Sequence, residues 1–264
     1  MTLRFWTDIK TTDFAGLDAA RTVAVLPLAA VEQHGPHLPT GTDALILDGL
    51  LARLRERTLD RTTALVLPTL AAGSSPEHLA FPGTLTVGAE TLLGLWVDLG
   101  RSVARTGIRR LVILNSHGGN AALADVAALR LRTELGLLVV TCTTHRLGVP
   151  AGSIDADEAR FGIHGGQIET ALMLALAPAL VAAAERADFA SSERDLVRRH
   201  PALGAAGGPA RLAWSAQDLN PAGAVGNAAA ATAAQGEAIL QHLADRIAAV
   251  LEDAARLPLP DLSR

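Results

Sequence analysis

The stretch VEQHGPHLPTGTD, residues 31–43, carries Glu32, His34, His37 and Asp43 among prolines that fix φ and glycines that allow turns closed to other residues. Carboxylates mixed with imidazoles are the donor set for Zn²⁺ or Mn²⁺, and a single cysteine rules out a thiolate site. In an extended segment residues two apart point to the same side, so Glu32 and His34 can face one centre. Gly35, Pro36, Pro39 and Gly41 would fix the path that aims them. The same residue types recur farther on, as His117 in SHGGN and as His164 and Glu169 in HGGQIE. Each fragment also has a plainer reading. The histidines can be surface or capping groups, Asp43 the N-cap of a helix, and SHGGN a glycine turn whose amides bind phosphate.

These residues need elements that bring them together. TVAVLPL (Thr22–Leu28) reads as a buried strand ending just before Glu32, and residues 109–115 as another ending just before His117. Residues 63–68 and 137–143 are two more strands. Helical spacing covers 44–58, with arginines toward its C-terminal end, then 89–106 with Gly107 as its stop, Ala121–Leu135, Gln167–Leu176 and 229–255. The segment from the fourth strand to about residue 163 reads as polar loop, and the Gly/Pro-rich 201–226 as a lid or interface loop. Strands alternating with helices predict an α/β fold, a three-layer α/β/α sandwich with a mostly parallel central sheet, in one domain over 1–264. Ligands of such sheets collect beyond the carboxyl ends of the strands, where the two polar loops would open together.

Composition narrows the function. The chain of 264 residues has a formal charge of −4 and no basic tract, which excludes an electrostatic footprint for nucleic acid or an anionic membrane. Tyrosine is absent, so acid–base or stacking roles fall to other residues. Cys142, the lone cysteine, fits a reducing, cytoplasmic setting and reads as a small buried hydrophobe. The N-terminus has no apolar leader, and no apolar run approaches the ~20 residues of a membrane span.

LPLAAVEQHGPHLPTGTD, FPGTLT, LVILNSHGGN and HGGQIETALML resemble, in order, the signature blocks of the creatininase (creatinine amidohydrolase) family, over residues 26–174. The resemblance implies a two-metal site holding Zn and/or Mn, hydrolysis of an amide-type C–N bond of a small substrate by a metal-bridging water, and a homo-oligomer, commonly a hexamer. Matched position by position, it makes Asp43 the carboxylate shared between the metals, with Glu32 and His117 completing one site and His34 and Glu169 the other. His164 matches the family's proton-shuttling histidine. Two metals roughly 3.5–4 Å apart can activate a water and polarise a carbonyl together, and a nearby histidine can pass a proton to the departing nitrogen.

Departures shape the substrate expectation. Gly119 stands where creatininase has a glutamate, and the stretch before the last block has Arg160 and Phe161 where creatininase presents tryptophan; Trp6, Trp96 and Trp214 lie elsewhere in the chain. Both argue against creatinine. Glu77 and His78 resemble a Glu-His pair of the family's mycofactocin-maturing peptidase branch, which makes a peptidase the alternative. With His37 and Arg160, whose planar guanidinium suits a carboxylate or phosphate, they are the candidate substrate-binding residues. His145, after a strand, is a candidate pocket residue, whereas His200 and His242 lack suitable neighbours. Two other classes are a Rossmann-like nucleotide-binding module, opposed by the acidic loop after the first strand, and a catalytically silent metal-binding relative.

Overall fold

Strands buried on both faces are near-continuous apolar runs, with polar residues confined mostly to their ends, and this is what makes the central sheet recognisable. The structure, a computed structural model, describes residues 3–57, 62–205, 207 and 209–259. Its main sheet holds β1 (Leu3–Phe5), β2 (Thr22–Leu28), β3 (Thr63–Val66), β4 (Arg110–Asn115) and β5 (Leu138–Thr143), ordered β1-β3-β2-β4-β5. All neighbours are parallel, with Leu28 of β2 opposite Asn115 of β4. Helices α1 (Thr42–Arg55), α2 (Ala89–Arg105), α3 (Ala121–Leu135), α4 (Ala156–Phe161), α5 (Gln167–Leu176), α6 (Glu193–Arg199), α7 (Ala216–Leu219) and α8 (Ala233–Arg256) complete the major elements. Among the described residues, no helix is long and apolar enough to cross a membrane.

Alternation along the strands sorts the side chains into two cores. Val23 and Val25 pack with Leu47, Leu50, Met173 and Ile239 beneath α1, α5 and α8. Ala24, Leu26 and Leu28 pack with Trp96, Val97 and Leu131 beneath α2 and α3. The three-layer α/β/α arrangement is therefore realised. Helices α5 and α8 touch almost backbone to backbone: a Cβ on Gly236 would overlap the Ala171 carbonyl oxygen. That contact leaves α5 little freedom to slide, and α5 carries Glu169.

Differences from the sequence reading are local. Strand β1 carries no usable sequence signal because it is three residues long and interrupted by Arg4. The expected polar loop before residue 163 contains α4, capped by Asp155, whose side chain accepts from the Glu158 amide at 2.8 Å. Helix α1 starts at Thr42 with Gly41 in the cap position, so Asp43 lies inside the first turn and not at its N-cap. Residue 58, the expected end of that helix, lies outside the described residues.

The chain after α5 makes one long excursion. Asp188 and Phe189 pair antiparallel with Asn227 and Gly226, and residues 190–225 lie between the two sides of this short ladder. They include α6, α7 and the tiny parallel pair Leu203–Gly204 with Ala210–Arg211.

Candidate metal centre

Strands β2 and β4 are neighbours, yet the helices that follow them cover opposite faces, α1 on one and α3 on the other. The connections diverge and leave a crevice at the strand ends, the usual ligand position in such sheets. Glu32 and His34 enter it from the loop after β2, Asp43 from the first turn of α1, and His117 from the loop after β4. His164 and Glu169 come from the turn before α5 and from its first turn.

Each imidazole is aimed by the nitrogen that faces away from the centre. His34 Nδ1 donates to the Glu32 carbonyl at 3.0 Å, so Nε2 is the nitrogen that faces Asp43 Oδ1 at 3.7 Å and Glu169 Oε2 at 3.9 Å. His117 Nε2 donates to the Ser74 carbonyl at 2.7 Å, leaving Nδ1 at 3.3 Å from Glu32 Oε1 and 3.4 Å from Asp43 Oδ2. Outer hydrogen bonds of this kind set the tautomer of a metal-binding histidine. Glu169 Oε2 accepts from the Gly165 amide at 2.5 Å.

The donor atoms fall into overlapping sets, Glu32–Asp43–His117, His34–Asp43–Glu169 and Glu32–His34–His164, each within 4.8 Å. Two ligands held at 2.0–2.2 Å by one tetrahedral cation are about 3.4 Å apart. The separations here cluster around that value and are too long for strong hydrogen bonds. Glu32 Oε2, His34 Nε2 and Asp43 Oδ2 are buried with no hydrogen-bond partner. Buried polar atoms are almost always satisfied, so orphans on three side chains that pair up in the donor sets match a cation's ligands. The residues present fit a divalent metal.

The electrostatics agree. Burial opposes a charge on His34, but Asp43, with Glu169 and Glu32 behind it, overcomes this and raises its pKa to about 10. His117 is likewise pushed up against its burial by Glu32 and Asp43. Burial lifts Glu169 to about 7, His34 opposing and Asp43 reinforcing the shift. Without a cation, protons are the positive charge that holds the carboxylates together.

Several contacts had no signal in the sequence. Gln33 donates to His78 Nδ1 at 2.7 Å and to the Gly223 carbonyl at 3.0 Å, while its oxygen accepts from the Gly35 amide. His78 must then carry its proton on Nε2, which faces Glu32 Oε1 at 3.3 Å. Asn120 ties together Ala29, Asn115 and Ser74 and so fixes the His117 turn. Glu158 is 2% exposed and spends both oxygens on backbone, accepting from Gln167 at 2.7 Å and Asn227 at 2.8 Å.

A cavity of about 1080 Å³ opens over the centre. Glu77, His78, His145, Arg160 and His164 line it. His37 does not: it is buried with Nε2 at 2.9 Å from Thr170 and its ring stacked on Phe189, and burial lowers its pKa to about 4. Trp214, remote from the motifs in sequence, joins the lining and meets the His78 ring edge-on. A Cβ on Gly119 would overlap the Ser74 carbonyl oxygen and sit 2.5 Å from His117 Nε2 and 2.8 Å from Glu77 Oε1, so the glycine lets the His117 turn close on residues 74–77. His164 donates from Nε2 to the Gln33 carbonyl at 2.6 Å, and Nδ1, its other nitrogen, lies 3.6 Å from Glu32 Oε1. Burial and the His34 charge keep it well below its usual pKa and therefore neutral.

Residues 7–251 match the family described as Creatininase: Creatinine amidohydrolase. The chain belongs to the creatininase family. A mycofactocin precursor peptide peptidase of Mycobacterium ulcerans (strain Agy99) is 32% identical to it over 226 residues, covering 84% of this chain and 81% of that one. A creatinine amidohydrolase of Pseudomonas putida is 34% identical over 188 residues, covering 63% and 69%. Creatininase in its manganese form superposes with a TM-score of 0.73 at 26% identity, over 97% of this chain and 99% of that one. Similar creatininase structures include a zinc–zinc form and a variant complexed with creatine. Family membership makes the chain a creatininase-type hydrolase fold and displaces the Rossmann-like alternative.

Proposed function

We infer that the chain is a metal-dependent hydrolase of amide-type C–N bonds in a small substrate. The observation that carries this reading is the convergence of the unpartnered buried atoms of Glu32, His34 and Asp43 on the crevice. Asp43 is the one residue common to the Glu32–Asp43–His117 and His34–Asp43–Glu169 sets, so it would be the carboxylate shared between two cations, with Glu32 and His117 on one and His34 and Glu169 on the other. Zinc and manganese suit these nitrogen and oxygen donors. Such a pair, when bound, supplies an activated water and an electrophile for the carbonyl oxygen.

The chain's own groups do the rest. His164 is neutral, and its Nδ1 is the nitrogen left to hold a proton for the departing amine. His78, aimed by Gln33, holds Glu32 in place through Nε2. Glu77 projects into the cavity beside Gly119, on the side where a substrate's polar group would lie.

A peptide substrate is the second reading. It is favoured by the peptidase relative and by a cavity slightly larger than the range for small-molecule sites. The test is elemental analysis of untagged protein purified without chelator, followed by a mass-spectrometric screen of lactams, formamides and short peptides. The expected result is about two equivalents of zinc or manganese per chain, with metal and hydrolysis falling together in Asp43→Ala. No metal uptake, or full activity in Asp43→Ala, would overturn the reading; bound metal with no turnover across the screen would favour the silent relative.

A further inference from the structure

Most arginines of the described chain are matched to a carboxylate or a carbonyl, as in Arg53 with Glu237, Arg194 with Asp157, and Arg110 with the Ala254, Ala20 and Leu257 carbonyls. Arg146, Arg160 and Arg211 are not. Among the described residues none of the three has a hydrogen-bond or ionic partner, although Arg160 lies over the Phe161 ring at 4.8 Å. All three line the cavity over the metal centre. They arrive from separate places, Arg146 from the turn after β5, Arg160 from the end of α4, and Arg211 from the 190–225 excursion. His145 stands with them, exposed like the three arginines, and its charged form is disfavoured first by partial burial and then by Arg146 and Arg211.

The cavity is thus polarised, with Glu32, Asp43 and Glu169 on its floor and three unmatched guanidiniums on its wall, where the other carboxylates are Glu77 and Glu193, the latter accepting from the Ala205 amide. In a chain with net charge −4, cations left unmatched around one concave site create a local positive potential against the overall field. Guanidinium presents planar paired donors that match a carboxylate. We propose that Arg146, Arg160 and Arg211 form a subsite for a carboxylate carried by the substrate, so that the scissile amide lies over the floor while the acid end of the same molecule rests on the wall. The substrate class is then an amide that bears a free acid, either an N-acylamino acid or a short peptide with a free C-terminus. This rests on the hydrolase reading for the position of the amide, but the subsite is tested by binding.

The experiment uses zinc-loaded full-length protein and isothermal titration with N-acetylglycylglycine, its C-terminal amide, N-acetylglycine and inorganic phosphate. The free acid should bind about tenfold or more tightly than the amide, and Arg146→Ala or Arg211→Ala should reduce that preference about fivefold or more with unchanged zinc content. Arg132→Ala, on a helix remote from the cavity, should leave it unchanged. Comparable binding of N-acetylglycine and the longer acid would assign the smaller class, and a clear advantage of the longer acid the peptide. Equal affinity for acid and amide would overturn the subsite. So would an acid preference that survives all three arginine substitutions, because the carboxylate would then sit on the zinc, and so would phosphate outcompeting both acids. An arginine-dependent preference in a protein that hydrolyses nothing would retain the subsite and defeat the hydrolase reading alone.

Discussion

Replacing Glu158 by glutamine tests whether a buried carboxylate outside the centre holds it in shape. Glu158 Oε1 accepts from the Gln167 amide and Oε2 from the Asn227 amide, at 2.7 and 2.8 Å. Gln167 is the first residue of α5, so the charge also lies at the positive end of that helix. Gln keeps the size but offers one acceptor, and its NH₂ would face an amide N–H that needs one. Each such bond to a carboxylate contributes about 1.5–3 kcal/mol, and a stranded N–H costs about 1–3 kcal/mol. A loss near 3 kcal/mol is expected, or roughly 6–12 °C in melting temperature for a chain of this size. Relocation offers no relief: Gly166 and Gly226 each place a would-be Cβ 2.6 Å from Oε1. The assay is thermal unfolding of zinc-loaded protein, with zinc retention measured alongside, since the strut sits under the turn carrying His164 and the start of α5 carrying Glu169. A melting shift under about 2 °C with normal zinc retention would refute the argument.

Two further predictions concern the metals. With free zinc about a thousandfold above its dissociation constant, linkage stabilises the fold by about 4 kcal/mol, so chelation should lower the melting temperature by roughly 8–16 °C; Asp43→Ala should melt at one temperature with or without chelator, and an unchanged chelator response in that variant would contradict Asp43 as a ligand. In metal-free protein, His34 has its pKa raised from 6.5 to about 10, so its contribution to stability is full below about pH 6.5 and is lost as pH rises through 10. Metal-free protein should therefore lose stability between those values more steeply than His34→Gln does, and zinc uptake at pH 7 should release protons, measurable by calorimetry in buffers of different ionisation enthalpy. Zinc binding with no proton release would exclude a protonated His34.

Much of this architecture is legible because parallel strands advertise themselves. TVAVLPL is apolar at every position after Thr22 and stops at a polar loop, and β2 has those same bounds. The rule that ligands gather beyond strand ends then brings Glu32 and His117 to one edge from the order of residues alone. The contacts that refine the centre are not legible, since they depend on distance in space: Gln33 reaches Gly223, and Glu158 reaches Asn227, with nothing local to mark either residue. His37 misleads for the opposite reason. Its spacing from His34 imitates a ligand pair, but the turn at Gly35, with φ of 71°, sends it to Thr170 and Phe189. Trp214 and Arg211 are hidden in a Gly/Pro-rich stretch without periodicity, where only tertiary structure reveals that it walls the cavity.

The ladder that closes residues 190–225 separates recognition from reaction. Because the chain leaves and returns through adjacent residues, Phe189 and Gly226, the cost of closing the loop is set at its base. Doubling such a loop adds only about 0.6 kcal/mol. The part of the excursion before Asn220 can therefore be exchanged like a cassette, while its returning end stays in place, because the Gly223 carbonyl holds Gln33 and Val225 pairs with His164. Laboratory chimeras that exchange this segment should therefore be cut after Phe189 and before Asn220, which leaves the supports of Gln33 and His164 untouched.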